Sequence, residues 1–175
     1  MTERLWSPWR GRFIRSSRKD TGCLFCRVAR SKADRRDLVL LRRPGALLML
    51  NRYPYNPGHL MVAPARHVGR FAALRPLERD DLMDLLAVAE RALRREYRPH
   101  GFNAGANLGR VAGAGFPGHL HLHLVPRWNG DTNFMPVIGA TRVLPESLGE
   151  TWIRLRRGLA ALEGGRGTRA RTKKG

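Results

Sequence analysis

Three short apolar runs, DLVLL (37–41), ALLML (46–50) and HLMVA (59–63), are separated by RRPG and NRYPYNPG. Runs of this length between Pro, Gly and Asn clusters predict strands joined by turns, here an antiparallel meander. From Pro76 to Tyr97 the pattern changes. Leu82, Leu85, Leu86, Ala89, Leu93 and Tyr97 recur at helical spacing, with Glu78, Asp80 and Asp81 near the start and Arg94 and Arg95 near the end, as the helix dipole favours. This predicts one amphipathic helix crossing the sheet. Alternation resumes in FNAGANL (102–108) and HLHLHLV (119–125), and Leu148, Trp152, Leu155, Leu159 and Leu162 predict a C-terminal helix. The order β-β-β-α-β-β-α is that of an α+β fold, and there is no internal sequence repeat.

GHLHLHLVPRW (118–128) places histidines at every second position. In a strand, His119, His121 and His123 share one face and Leu120, Leu122 and Leu124 the other, with alternate residues about 6.5–7 Å apart. The leucines are expected to face the core. Three readings of the imidazoles stand at this point: satisfied surface histidines, a three-histidine metal site, or a catalytic group. Immediately upstream, NLGRVAGAGFPGH carries Gly109, Gly113, Gly115 and Gly118, which allow backbone N–H groups to converge on an anion. Such loops are common. A phosphate-receiving loop beside a neutral imidazole is nonetheless the combination nucleotidyl transfer requires, because imidazole attacks phosphorus and the phosphoramidate formed is readily discharged.

The 175 residues, 42% hydrophobic, suffice for one domain. Residues 1–22 read as a basic arm with aromatic anchors (Trp6, Trp9, Phe13), residues 23–163 as the domain with its C-terminal extension, and residues 164–175 as a disordered basic tail. No apolar run is long enough for a membrane span and the N-terminus lacks signal-peptide character, so a cytoplasmic protein is expected. The two cysteines, Cys23 and Cys26 in CLFC, are too few for a disulfide framework and have metal or redox spacing. A formal charge of +19 suits an anionic substrate. It carries no helix-turn-helix, RNP or KH signature with it, so a nucleic-acid role is not expected.

The run from His119 to Val125 resembles the His-x-His-x-His-x-x signature of the histidine triad (HIT) family of nucleotide-binding hydrolases and transferases. LNRYPYNPGHLMVAPARHV (50–68) is similar to the family's first block, and with CLFC the resemblance covers about residues 23–130. RLWSPWR (4–10), AGAGFPGHLHLHLVPRWNGDTNFMPVIG (112–139) and RVLPESL (142–148) are similar to the bacterial branch that contains diadenosine tetraphosphate phosphorylases.

The resemblance implies a HIT-like fold and a division of labour among the histidines. His121 would attack the α-phosphorus and form a nucleotidyl-histidine intermediate, and His123 would hydrogen-bond an α-phosphate oxygen. Asn51 would contact the ribose, Asn107 a phosphate, and His59 would support the triad beside the substrate. Where many relatives have a hydroxyl residue before the triad this chain has Gly113, Ala114 and Gly115, whose backbone donors would have to replace it. Cys23, Cys26, His67 and His119 match a closed Cys2His2 set for structural zinc, and no organic cofactor is implied. A homodimer is implied too.

The expected activity is cleavage of dinucleoside polyphosphates, with water or inorganic phosphate completing the reaction. The alternatives within the family are a nucleoside phosphoramidase and an adenylyl sulfate-cleaving hydrolase, since one intermediate serves all three. An alternative of another class is a non-catalytic scaffold that binds nucleotide or RNA.

Overall fold

The computed structural model of the chain describes residues 22–131 and 146–171. Helix α1 (Leu24–Arg30) and a single turn α2 (Asp34–Asp37) precede the strands β1 (Val39–Arg42), β2 (Ala46–Leu50) and β3 (Leu60–Pro64). A 3-10 turn (Phe71–Ala73) leads into α3 (Pro76–Tyr97), followed by β4 (Gly101–Gly105), β5 (Leu122–Arg127) and α4 (Leu148–Arg171). The strands form one antiparallel sheet in the order β1-β2-β3-β5-β4. This is the expected α+β architecture, with an antiparallel sheet, a crossing helix and a C-terminal helix.

β2 and β3 are buried on both faces, which is why their sequences read as continuous apolar runs rather than alternation. On one face Leu40, Leu48, Leu50, Leu60, Val62 and Leu124 pack against α3 and α4 through Leu85, Leu93, Leu155 and Leu159. On the other, Val39, Leu47, Met49, Met61 and Ala63 pack against Phe25 and Val28 of α1. Sequence reading missed α1 and α2. Helices this short show little periodicity and form only because tertiary packing holds them.

The acidic start of α3 does more than meet the helix dipole. Glu78 accepts the Arg75 backbone N–H at 2.8 Å and holds Arg66 through bonds of 2.7 and 2.8 Å, while Asp81 accepts the Gly45 N–H at 2.6 Å. The expected strand 119–125 begins later, at Leu122, because Leu120 N–H turns to the Val68 carbonyl (2.7 Å) instead of joining the ladder. Its alternation persists regardless: Leu120 and Leu124 are buried in the helix-side core. The expected strand 102–108 likewise ends early, at Gly105.

α4 continues to Arg171, so the segment from Gly164, expected to be a disordered tail, starts in helical backbone. The N-terminal arm up to residue 21 and the stretch 132–145 lie outside the described residues. Among the described residues, no helix is long and apolar enough to cross a membrane.

Candidate functional site

β5 places His123 opposite Met61 of β3 and Gly105 of β4, on the sheet face that carries α1. His119 and His121 lie in the extended lead-in to the strand, 1% and 5% exposed. All three imidazoles therefore sit on the α1 side, away from the long helices. The rings of His121 and His123 are 5.1 Å apart, nearly perpendicular.

Hydrogen bonds fix which nitrogens carry protons. His121 Nδ1 lies 2.8 Å from the His119 carbonyl, an acceptor only, so Nδ1 carries the proton and Nε2 holds a lone pair. Burial lowers the His121 pKa, opposed by that carbonyl bond. His123 is set the opposite way. The Tyr55 backbone N–H donates to His59 Nδ1 (3.1 Å), so the His59 proton is on Nε2, and Nε2–H donates to His123 Nδ1 at 2.9 Å. This leaves the proton of neutral His123 on Nε2. One triad ring thus offers an electron pair and its neighbour a donor.

The turn before β3 makes this relay possible. Gly58 adopts φ +74°, and a Cβ there would stand 2.8 Å from Leu93 Cδ2, so the chain passes close over α3 and buries His59 at 1% exposure. His59 backs His123 from inside. Asn51 forms a turn: its Oδ1 accepts the Tyr53 N–H at 2.9 Å, and its Nδ2 lies 3.4 Å from both His59 nitrogens.

The glycine-rich loop is partly spent on its own structure. Gly113 N–H donates to the Arg110 carbonyl (2.9 Å) and Ala114 N–H to the Gly109 carbonyl (3.2 Å), with Gly109 and Gly113 at positive φ. These two amides close turns within the loop. Asn107 Nδ2 reaches the Gly113 carbonyl at 3.5 Å and braces the same loop.

His119 belongs to a second cluster. Its ligating atom and those of Cys23, Cys26 and His67 all lie within 4.8 Å of one another. Cys23 Sγ is 3.2 Å from His119 Nδ1, Cys26 Sγ is 3.6 Å from the same nitrogen, and Cys26 Sγ is 3.2 Å from His67 Nδ1. Ligands at about 2.3 Å (sulfur) and about 2.0 Å (nitrogen) around a tetrahedral ion stand about 3.5 Å apart, so these spacings fit one four-coordinate ion. His119 Nε2–H donates to the Pro64 carbonyl at 2.9 Å, which leaves Nδ1 as the lone-pair nitrogen facing the sulfurs. Burial first, then the neighbouring Cys23, raises the Cys26 thiol, with the Arg30 charge opposing. Both cysteines are free of disulfide.

Phe25, between the two cysteines, is a participant the sequence reading overlooked. Its ring stacks on His121 at 4.8 Å and 28°. Only its place inside CLFC could have pointed to it.

Fold and site together define an α+β protein with one imidazole offering a lone pair, a neighbouring imidazole offering an N–H, and an adjoining Cys/His metal-type cluster. The chain belongs to the HIT family: the HIT domain matches residues 32–130. It is 40% identical over 157 residues to AP-4-A phosphorylase of Mycobacterium tuberculosis, a match covering 85% of this chain and 80% of that protein. It is 31% identical over 93 residues to the asymmetrical bis(5'-nucleosyl)-tetraphosphatase of Schizosaccharomyces pombe, covering 53% of this chain and 50% of that one. The solved structure of a Zn-bound histidine triad family protein from Mycobacterium smegmatis is similar with a TM-score of 0.64 and 26% identity, over 85% of this chain and 99% of that one.

Proposed function

We propose that this chain cleaves dinucleoside polyphosphates by nucleotidyl transfer through His121, with inorganic phosphate as the second acceptor. The observation that carries the reading is the pair of opposite tautomers, His121 with a free Nε2 lone pair and His123 with an Nε2–H beside it. His121 Nε2 attacks the α-phosphorus of diadenosine tetraphosphate; the N–P bond forms, the bridging P–O bond breaks, and ATP leaves with the electron pair. The adenylylated ring keeps its Nδ1 proton and becomes cationic, a charge that the His119 carbonyl stabilises at 2.8 Å. His123 donates Nε2–H to a non-bridging oxygen as negative charge grows there. A phosphate oxygen then attacks the same phosphorus, the P–N bond breaks, and ADP leaves with His121 restored.

No base deprotonates the nucleophile in this scheme, because the Nδ1–H tautomer of His121 already holds a lone pair on Nε2. The proposed ribose contact of Asn51 and phosphate contacts of Asn107 and Gly115 rest on the match of these positions to the family. The name of the Mycobacterium tuberculosis relative favours phosphate over water as acceptor. Zinc is the ion proposed for Cys23, Cys26, His67 and His119; bound there it supplies no chemistry to substrate and cross-links α1 to the triad segment. Free thiols suit the reducing cytoplasm. β4 is an edge strand with exposed Asn103, Ala104 and Gly105, which suits pairing with a second copy in a homodimer.

The test is incubation with diadenosine tetraphosphate with and without phosphate. Phosphate-dependent ADP plus ATP supports a phosphorylase. AMP plus ATP regardless of phosphate would make water the acceptor, and an inert protein would overturn the reading.

A further inference from the structure

The bond from His121 Nδ1–H to the His119 carbonyl anchors one edge of the ring, but histidine χ2 is a broad well and a single bond leaves the ring plane free to rock. In-line attack on phosphorus depends on where the Nε2 lone pair points. The plane is set by what lies flat against it. Phe25, 1% exposed, stacks on His121 at 4.8 Å with 28° between planes and also touches His119 at 5.0 Å and 37°. Phe116 closes edge-on against Phe25 at 5.8 Å and 82°, so Phe25 itself has little freedom to swing away.

We infer that Phe25 is a positioning residue for the His121 nucleophile, delivered by the same turn of α1 that presents Cys23 and Cys26 to the metal-type cluster; the inference rests on His121 being the nucleophile. The CLFC spacing then has two products. Cys23 caps α1 and Cys26 lies three residues on, both against His119 or His67, while Phe25 between them turns onto the sheet face beneath the triad. His119 is gripped at its side chain by the cluster and at its carbonyl by His121. Phe25 therefore closes a second connection between the cluster and the reacting ring, running through packing rather than hydrogen bonds.

The experiment compares Phe25→Leu, which retains apolar bulk and loses the flat ring, with Val28→Ala, which weakens the same apolar cluster one turn further along α1. Steady-state kinetics on diadenosine tetraphosphate with phosphate, bound zinc per chain and Tm are measured for each zinc-loaded protein. Phe25→Leu is expected to lose about 10- to 100-fold in kcat with little change in KM or zinc content, the size of loss a small misplacement produces. Val28→Ala is expected to lower Tm and leave kcat near wild type. Should Phe25→Leu fail to hold zinc, Phe25→Met carries the same comparison. In parallel, NMR relaxation of the His121 ring 13C–1H pairs is expected to report a rigid ring in wild type and a mobile one in the Phe25 variant, a readout independent of turnover. A Phe25→Leu protein with wild-type kcat and an unchanged His121 signal would overturn the inference, as would a kcat loss that Val28→Ala matches at equal Tm. A wild-type protein inert on the substrate would overturn the proposed function instead, and the NMR comparison would still decide the role of Phe25.

Discussion

His59 Nε2 lies 2.9 Å from His123 Nδ1, and because Tyr55 N–H already occupies His59 Nδ1, this contact sets the proton of neutral His123 on Nε2. His59 is expected to act on the reaction only through His123. Replacing His123 by Ala is expected to lower kcat about 10²–10³-fold, as loss of one charge-stabilising donor does. His59→Phe keeps a ring of similar shape and is expected to cost about tenfold, since it frees the His123 tautomer without removing the donor. The double variant should be no slower than His123→Ala alone, and additive losses in steady-state kinetics would argue against the relay.

His121→Ala removes the group that forms the covalent bond. Turnover is expected to fall at least about 10³-fold, while a non-hydrolysable dinucleotide binds within a few-fold of wild type. Brief mixing with labelled substrate followed by alkaline quenching and separation on a denaturing gel at high pH should trap label on wild type only; label on the variant would place the bond elsewhere.

Metal removal should loosen the connection between α1 and the triad without unfolding the domain, because the helix-side core of Leu85, Leu93, Leu155 and Leu159 does not depend on the cluster. Cys26→Ser is expected to lower bound zinc from about one ion per chain to near zero and Tm by about 5–10 °C, the equivalent of a few kcal/mol in a domain of this size. Elemental analysis beside calorimetry checks both. An unchanged Tm at zero zinc would mean the cluster is not structural.

Glu78 is pulled from its usual range to about 2, first by the bonds from Arg66, against burial, with the Arg75 backbone N–H and both arginine charges adding to the pull. A carboxylate whose folded pKa is depressed contributes stability that is complete above its unfolded value near 4.5 and is lost as pH falls towards 2. The urea midpoint should therefore drop between pH 5 and pH 3. Glu78→Gln should start lower at pH 7 and show a shallower drop over the same window; parallel curves would exclude Glu78 as the cause.

Gly58→Ala forces a side chain into positive φ and against Leu93 Cδ2 at 2.8 Å. A loss of about 1–3 kcal/mol is expected from strain and overpacking together, read from the urea midpoint. Activity should fall further than stability, because the same turn carries His59.

Much of this architecture was legible in the chain. Apolar runs between turn residues located β1, β2 and β3, and the helical period located α3 to its ends, because burial on a regular element leaves a regular trace. Alternation told the leucines from the histidines around residue 121 even though hydrogen bonding did not continue the ladder there. Spacing could not reveal α1, since seven residues held by Phe25 and Val28 carry no period of their own. Nor could it reveal the order β1-β2-β3-β5-β4, which brings His59 and His123, 64 residues apart, within one hydrogen bond.

The residue types themselves determined what chemistry was available: imidazoles at alternate positions, two thiols three residues apart, glycines where the backbone must turn. Tertiary structure alone decided how that chemistry was divided. His119 reaches the thiols with one nitrogen and Pro64 with the other, while its carbonyl turns His121 to the opposite task. Proton positions, ring planes and the use of loop amides depend on atoms brought close from distant parts of the chain, and local sequence holds no record of those distances.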